Sequence, residues 1–281
     1  MRRKGEQGTV AEAFSGASLD YHALVRVKGL LIDLDGTLYT NSGPVEGARE
    51  ALHRMSSAGI VYRYITNATH KPRREIAAHL RALGFPAEEG LIFTPAVAAA
   101  KRLRSEGMSC YPLVAEALFE DLEGIRMTED SPGCVLVGNV GEGFTYRRLN
   151  AAFRHLMEGA EFIALLKNRY WQTAGGELSL DAGPFVAALE YASGKTAVGV
   201  GKPERAFFEM ALKDLGLPPE TVAMVGDDPE LDVAGARTAG LRGILVKTGR
   251  HTPEAVTTVR PDLVLESVVH LPEALDAWNV S

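Results

Sequence analysis

The sequence predicts an α/β fold: a parallel sheet with helices on both faces, carrying a second, smaller α/β unit inserted into it. Three observations predict it. Short apolar runs alternate with helix-length amphipathic stretches toward the N-terminal end, the rhythm of strand–helix–strand units in a parallel sheet. The same rhythm returns toward the C-terminal end, and a less regular stretch with its own strand candidates lies between. The 281 residues amount to ~1.9 domains on the usual length prior, enough for one full core and a smaller one.

The elements follow in order. Val27 to Asp33 reads as a buried strand around the apolar run Leu30-Leu31-Ile32. Pro44 suits a first helical turn, and Val45, Ala48, Leu52 and Met55 follow at helical spacing, with Gly59 as the stop. Ile60 to Ile65 is a second strand running into Thr66-Asn67. A second helix spans about Pro72 to Leu83, with Ile76, Leu80 and Leu83 on one face and Gly84 beyond it. In the last third, strands are expected at Thr196 to Gly201, Thr221 to Gly226, Ile244 to Lys247 and Leu263 to Leu265. Helices are expected at Glu204 to Leu215 and Asp232 to Ala239. The middle holds strand candidates at Cys110 to Val114, Cys134 to Val137 and Phe162 to Leu166, a helix around Thr145 to Leu156, and loops at 138–143 and 167–183. The expected division is a flexible arm at 1–26, a core at 27–105, an inserted α/β unit at 106–194 and the rest of the core at 195–281.

Composition removes several classes of function. Hydrophobic residues make up 46% and charged residues 23%, an ordinary globular mix. No apolar run approaches the roughly 18 residues of a membrane span. Cys110 and Cys134 are the two cysteines. Their spacing fits no metal or redox motif, so a disulfide framework is excluded and a reducing compartment expected. The arm begins with Arg2, Arg3 and Lys4, but no apolar segment follows, and Glu6, Glu12 and Asp20 disfavour a transit peptide. The cytoplasm is the expected location. A net charge of −6 argues against nucleic acid as a partner. A single phosphate group is still within reach of one lysine, a few backbone N–H groups and a metal ion.

Four motifs each follow a predicted strand: Asp33-Leu34-Asp35-Gly36-Thr37, Thr66-Asn67, Lys202-Pro203 and Gly226-Asp227-Asp228. In an open parallel sheet the carboxyl ends of the strands share one edge, and ligands bind there. Clustered carboxylates repel one another and call for a cation, and an all-oxygen donor set suits Mg²⁺. One arrangement using this set is a phosphatase with a carboxylate nucleophile. From the ordinary pKa of an aspartate, Asp33 is expected to be ionised at neutral pH and so to need no base. Mg²⁺ and Lys202 would offset its repulsion from a phosphate dianion. Asp35 is placed to protonate the leaving oxygen and then activate water. The other arrangement is a signalling receiver, which joins acids, a Thr and a Lys around a phospho-aspartate. A receiver is one compact domain, whereas an insertion here separates Thr66 from Lys202, and that layout disfavours it. Taken singly, each motif has an ordinary explanation: a turn, a helix cap, or a proline at a helix start. Their joint occurrence in this order favours a site.

These motifs resemble those of the haloacid dehalogenase superfamily of aspartate-nucleophile phosphohydrolases. Asp33 to Leu38 resembles its first motif, and Thr66, Lys202 and Gly226-Asp227-Asp228 match the second, third and fourth. The insert between the second and third resembles the α/β cap of class IIA. The stretches Gly183-Pro184-Phe185-Val186 to Leu189-Glu190-Tyr191-Ala192, Val200 to Glu204 and Gly243 to Gly249 are similar to one group of that subclass. It comprises the haloacid dehalogenase-like hydrolase domain proteins related to phospholysine phosphohistidine inorganic pyrophosphate phosphatase. The resemblance implies a Rossmann-like core with an inserted cap, and a Mg²⁺-dependent hydrolase acting on phosphoric ester bonds of a small phosphorylated substrate. It implies Asp33 as nucleophile and Asp35 as general acid/base. Thr66 and Asn67 would hold phosphoryl oxygens, and Lys202 would neutralise them. Asp33, the Asp35 carbonyl and Asp227 would be the metal ligands, with Asp228 and Asp232 as supporting acids. It implies a cap loop Asn168-Arg169-Tyr170-Trp171 that touches the substrate, the alternative being that Tyr170 and Trp171 anchor the cap's own core. Pairing of two copies through the cap is also implied. Several relatives carry Ser where this chain has Asp35, so this chain is better equipped for poor leaving groups, and phospholysine or phosphohistidine specificity transfers less directly. A phosphomutase and a non-catalytic phospho-ligand binder are the alternatives; the intact Asp33, Asp35, Lys202 and Asp227 argue against the binder.

Overall fold

The computed structural model describes residues 26–172 and 175–280. The arm expected at 1–26 lies outside the described residues except for Arg26. The chain begins with β1 (Gly29–Ile32), a hairpin of β2 (Tyr39–Thr40) and β3 (Gly43–Pro44), α1 (Ala48–Ser57), β4 (Val61–Ile65), α2 (Arg73–Ala82), β5 (Ile92–Phe93) and α3 (Pro95–Glu106). An inserted unit follows with β6 (Cys110–Leu113), β7 (Cys134–Val137), α4 (Tyr146–Met157), β8 (Glu161–Ala164), the hairpin β9 (Tyr170–Gln172) and β10 (Leu178–Leu180), α5 (Ala182–Ser193) and β11 (Val198–Gly199). The chain returns through α6 (Arg205–Leu215), β12 (Val222–Gly226), α7 (Gly235–Thr238), β13 (Arg242–Val246), α8 (Pro253–Val259), β14 (Leu263–Leu265) and α9 (Leu271–Val280).

The main sheet runs β14-β13-β12-β1-β4-β5, with every neighbouring pair parallel. It is the Rossmann-like α/β layer the motifs implied. The central strands β1, β12 and β13 are buried along their whole length, as strands covered on both faces must be. Successive side chains of β1 go to opposite faces. Leu31 joins Phe93, Phe207, Phe208 and Met224 in one cluster, while Leu30 and Ile32 join Leu52, Ile76, Leu80 and Val225 in the other. The insert has its own parallel sheet, β11-β8-β7-β6. One face of it continues the cluster around Leu31, and the other packs Val135, Val137, Ala152, Leu156, Val186 and Leu189. Among the described residues no helix is long and apolar enough to cross a membrane.

The structure corrects several expected elements. Pro44 does not start a helix. It pairs with Tyr39 in the short hairpin, where a proline at a strand end forgoes no necessary donor, and α1 starts only after Gly47. The strand expected at Thr196 to Gly201 is not in the main sheet. Only Val198 and Gly199 form it, and they pair with Ile163 and Ala164 of the insert. The chain therefore leaves the insert's sheet just before Lys202 and returns to the main sheet through α6 and β12. The stretch 167–183, expected as a loop, contains the β9–β10 hairpin. The helix expected from Asp232 begins earlier, as a wide π-type turn over Pro229–Ala234. Cys110 and Cys134 are register partners on β6 and β7, both buried and both free thiols.

Candidate active site

Register brings the first motifs together. Ile32 is level with Val225 on one side and Tyr64 on the other, so Asp33, Asp227 and Thr66 leave the sheet at the same edge. The Asp33 amide is fixed by the Val225 carbonyl at 2.9 Å and the Thr66 amide by that of Phe93 at 3.3 Å. Two glycines make the convergence sterically feasible. Gly36 has φ +81, and a Cβ there would lie 2.2 Å from Asp227 Oδ2. A Cβ on Gly226 would lie 2.2 Å from Asp232 Oδ2.

Lys202 reaches this edge from the other sheet. Its Nζ donates to Asp33 Oδ1 and, at 2.6 Å, to Asp232 Oδ1. Asp33, Lys202, Asp227 and Asp232 are all buried, Asp232 being only 1% exposed. Thr37 Oγ1 lies 3.4 Å from Asp33 Oδ2, and the Arg250 amide donates to Asp227 Oδ2 at 2.8 Å. Asp33, Asp227 and Asp232 each bring a carboxylate oxygen within 4.8 Å of the others. Three carboxylates share one lysine, so negative charge is left over in a desolvated place. Burial accordingly pushes the Asp33 and Asp227 carboxyls above their ordinary range, and Asp232 up to about 7 despite Lys202. Burial alone would lower the Lys202 pKa, but Asp232 and Asp33 outweigh it and hold the ammonium charged. An oxygen-only donor set with uncompensated charge fits a hard divalent cation.

The expected residues fall into place unevenly. Asp35 lines the same cleft but is exposed and stands outside the buried triad. Its Oδ2 accepts from Tyr39 Oη at 3.2 Å. Burial and the neighbouring Asp35 charge raise the Tyr39 pKa, so the phenol stays a donor. Thr66 Oγ1 accepts from the Ala68 amide at 3.2 Å, which leaves its O–H to donate. Asn67 differs from expectation. Its Nδ2 donates to the Lys202 carbonyl at 2.9 Å and its Oδ1 accepts from the Lys202 amide at 2.8 Å. The side chain therefore clamps the lysine segment, and one Nδ2 hydrogen is what remains for a ligand. Asp228 caps the following helix through the amides of Glu230 and Leu231, while its own amide donates to Asp232 Oδ2 at 3.2 Å. Asp232, expected as a support, is a direct partner of the lysine.

Above this floor lies a cleft of about 370 Å³, a size suited to a small ligand. The insert roofs it with Asn139, Leu166, Asn168, Trp171 and Asp181, and His70 lies at the seam. Of the expected cap loop, Asn168 and Trp171 line the cleft, whereas Arg169 and Tyr170 do not. Hairpin alternation explains the split, because Trp171 lies opposite Ser179 and Tyr170 opposite Leu180, on opposite faces. Tyr170 and Trp171 are 56% and 46% exposed, so neither anchors the insert's core. The Trp171 and His70 rings are 6.3 Å apart and 19° from parallel. Burial, aided by Lys71, lowers the His70 pKa. Sequence reasoning missed Tyr39, His70, Asn139 and Asp181. Only the four-residue spacing of Tyr39 from Asp35 offered a local signal.

The comparisons agree with this geometry. Family models for haloacid dehalogenase-like hydrolases match residues 30–127, and HAD-hydrolase-like models match residues 199–271. Human haloacid dehalogenase-like hydrolase domain-containing protein 2 is 41% identical over 246 residues, covering 87% of this chain and 94% of that protein. Zebrafish phospholysine phosphohistidine inorganic pyrophosphate phosphatase is 36% identical over 270 residues, covering 93% and 97%. Among solved structures, the Thermotoga maritima 4-nitrophenylphosphatase superposes with a TM-score of 0.81 at 27% identity, covering 91% of this chain and 100% of that one. Escherichia coli NagD gives 0.80 at 26% identity, covering 87% and 98%. With the motif residues assembled at one sheet edge and relatives matched over nearly their full lengths, the chain belongs to the haloacid dehalogenase superfamily and is a phosphatase of that family.

Proposed function

We propose that the protein is a Mg²⁺-dependent phosphomonoesterase that passes the phosphoryl group of a small metabolite first to Asp33 and then to water. The observation that carries it is the buried Asp33 carboxylate, held by Lys202 at the floor of a cleft whose rim carries a second, solvent-reached carboxylate, Asp35. Asp33 attacks phosphorus. The Asp33–phosphorus bond forms as the bond to the leaving oxygen breaks, and Asp35 gives that oxygen its proton. In the second half Asp35 takes a proton from water, which displaces Asp33 and releases inorganic phosphate. Lys202 offsets charge on the phosphoryl oxygens, and the Thr66 hydroxyl donates to one of them. Asn67 keeps Lys202 in register. Mg²⁺ would be held by Asp33, Asp227 and the Asp35 carbonyl, with Asp232 behind, and when bound supplies positive charge to the transferring group. The exposure of Asp35 favours water over a returning sugar or other alcohol as acceptor, and so a hydrolase over a phosphomutase.

Phosphate release from p-nitrophenyl phosphate and a panel of phosphorylated metabolites, with and without Mg²⁺, is the test. Activity should need Mg²⁺, vanish with EDTA and be inhibited by Ca²⁺, whose larger and irregular shell spoils an in-line arrangement. Full turnover in excess EDTA would remove the metal from the proposal.

A further inference from the structure

The roof of the cleft carries a carboxylate with no ion-pair partner among the described residues. Asp181 is 5% exposed and lines the cleft, and it forms no ion pair with any described residue. Its Oδ1 accepts from Asn139 Nδ2 at 2.9 Å and from the Ala182 amide at 2.8 Å. Its second oxygen has no donor among the described residues. Asn139 is itself locked, because its Oδ1 accepts from the Gly141 amide at 2.9 Å. The amide therefore aims its NH₂ at Asp181 and fixes that carboxylate. Capping α5 does not explain the charge: one oxygen suffices, and Ser or Asn would cap as well. The second oxygen is open to the cleft rather than sealed in the protein, so it can accept from a donor on the ligand.

The neighbouring groups indicate which donor. Trp171 is 46% exposed although it lies against His70, so indole surface is open to a ligand. Aromatic faces attract cations. The Lys and Arg side chains that line the cleft are Lys202 and Arg250. Lys202 is bound to the floor carboxylates, and the Arg250 backbone is anchored on Asp227. The roof thus offers one carboxylate, an indole and amides, and contributes no Lys or Arg side chain to the cleft.

We propose that Asp181 and Trp171 form a subsite for a protonated amine, so that the substrates are phosphate monoesters of small amine-bearing alcohols or phenols. The proposal rests on the phosphatase function above. It is tested with the Mg²⁺-loaded enzyme on three phosphates that share one ring: 4-(aminomethyl)phenyl phosphate, phenyl phosphate and 4-carboxyphenyl phosphate. The amine should exceed the carboxylate in kcat/KM by about 10-fold or more, the scale of a charge-assisted contact, mostly through KM. Asp181→Asn keeps a capping side chain and should collapse that ratio toward one. Trp171→Ala should reduce it, and Trp171→Phe should preserve most of it. Equal or better turnover of the carboxylate, or an unchanged ratio in a folded Asp181→Asn protein, would overturn the subsite while leaving the phosphatase function intact. No turnover of any of the three would overturn the phosphatase function and the subsite with it.

Discussion

On the floor of the cleft three carboxylates and one ammonium are buried within reach of one another. The roof holds a single buried carboxylate, two amides and a half-exposed indole. Floor groups are interdependent: removing one leaves another buried charge unpaired, and that penalty is large. Roof groups are joined by an amide–carboxylate hydrogen bond and, at the seam, by a ring contact with His70, with no ion pair among the described residues, so each can change with less disturbance. The difference divides the labour of the site. The floor acts on the phosphoryl group common to all substrates, and the roof meets the part that varies.

The largest break in that comparison comes from Asp33→Asn. A neutral amide is a poor nucleophile, so turnover should fall to background, and acid-quenched enzyme should carry no label from ³²P-substrate. Label on that variant would show that another residue accepts the phosphate. Asp35→Asn comes next. It should form the phospho-enzyme from p-nitrophenyl phosphate, whose leaving group needs no proton. It should lose more on an alkyl phosphate, by a factor approaching the ~10²–10⁴ of general acid–base catalysis. Equal losses on the two substrates would show that Asp35 is not the proton donor.

Lys202→Ala should cut kcat by ~10²-fold or more, the scale of one charge-stabilising donor. It should also lower the thermal midpoint, because Asp33 and Asp232 would then face each other unscreened. Lys202→Arg should restore little, since a planar fork does not replace a compact ammonium between two carboxylates. Unchanged kcat in a folded Lys202→Ala enzyme would reduce the lysine to a packing element. The smallest effect belongs to the roof: Asn168→Ala should act through KM, by about 5-fold for the ~1 kcal/mol of one hydrogen bond. A loss of kcat at constant KM would mean that roof and floor are not separate.

Much of this was legible in the sequence. Leu30-Leu31-Ile32 followed by Asp-x-Asp-Gly-Thr marked the strand and its reactive end, because an apolar run between polar turns has few other uses. Gly226-Asp227-Asp228 was legible for the same reason. The two-residue strand Ile92–Phe93 was not, since so short a run carries no period. The β9–β10 hairpin was hidden in a stretch rich in Gly and polar residues. Pro44 misled because its fixed φ suits a strand end as well as a helix start.

By itself the sequence determined the parallel α/β class, the inserted unit and the four motifs with their chemical types, for these rest on local periodicity and on residues adjacent in the chain. Tertiary structure decided what those motifs meet. It seated Lys202 between Asp33 and Asp232, turned the Asn67 amide onto the lysine backbone, and set Cys110 beside Cys134. It also raised Asp181 and Trp171 over the cleft. These pairings join residues far apart in the chain. They depend on strand register and on how the insert's sheet docks against the main one, and both are set by burial of side chains across the whole molecule rather than by any local stretch of it.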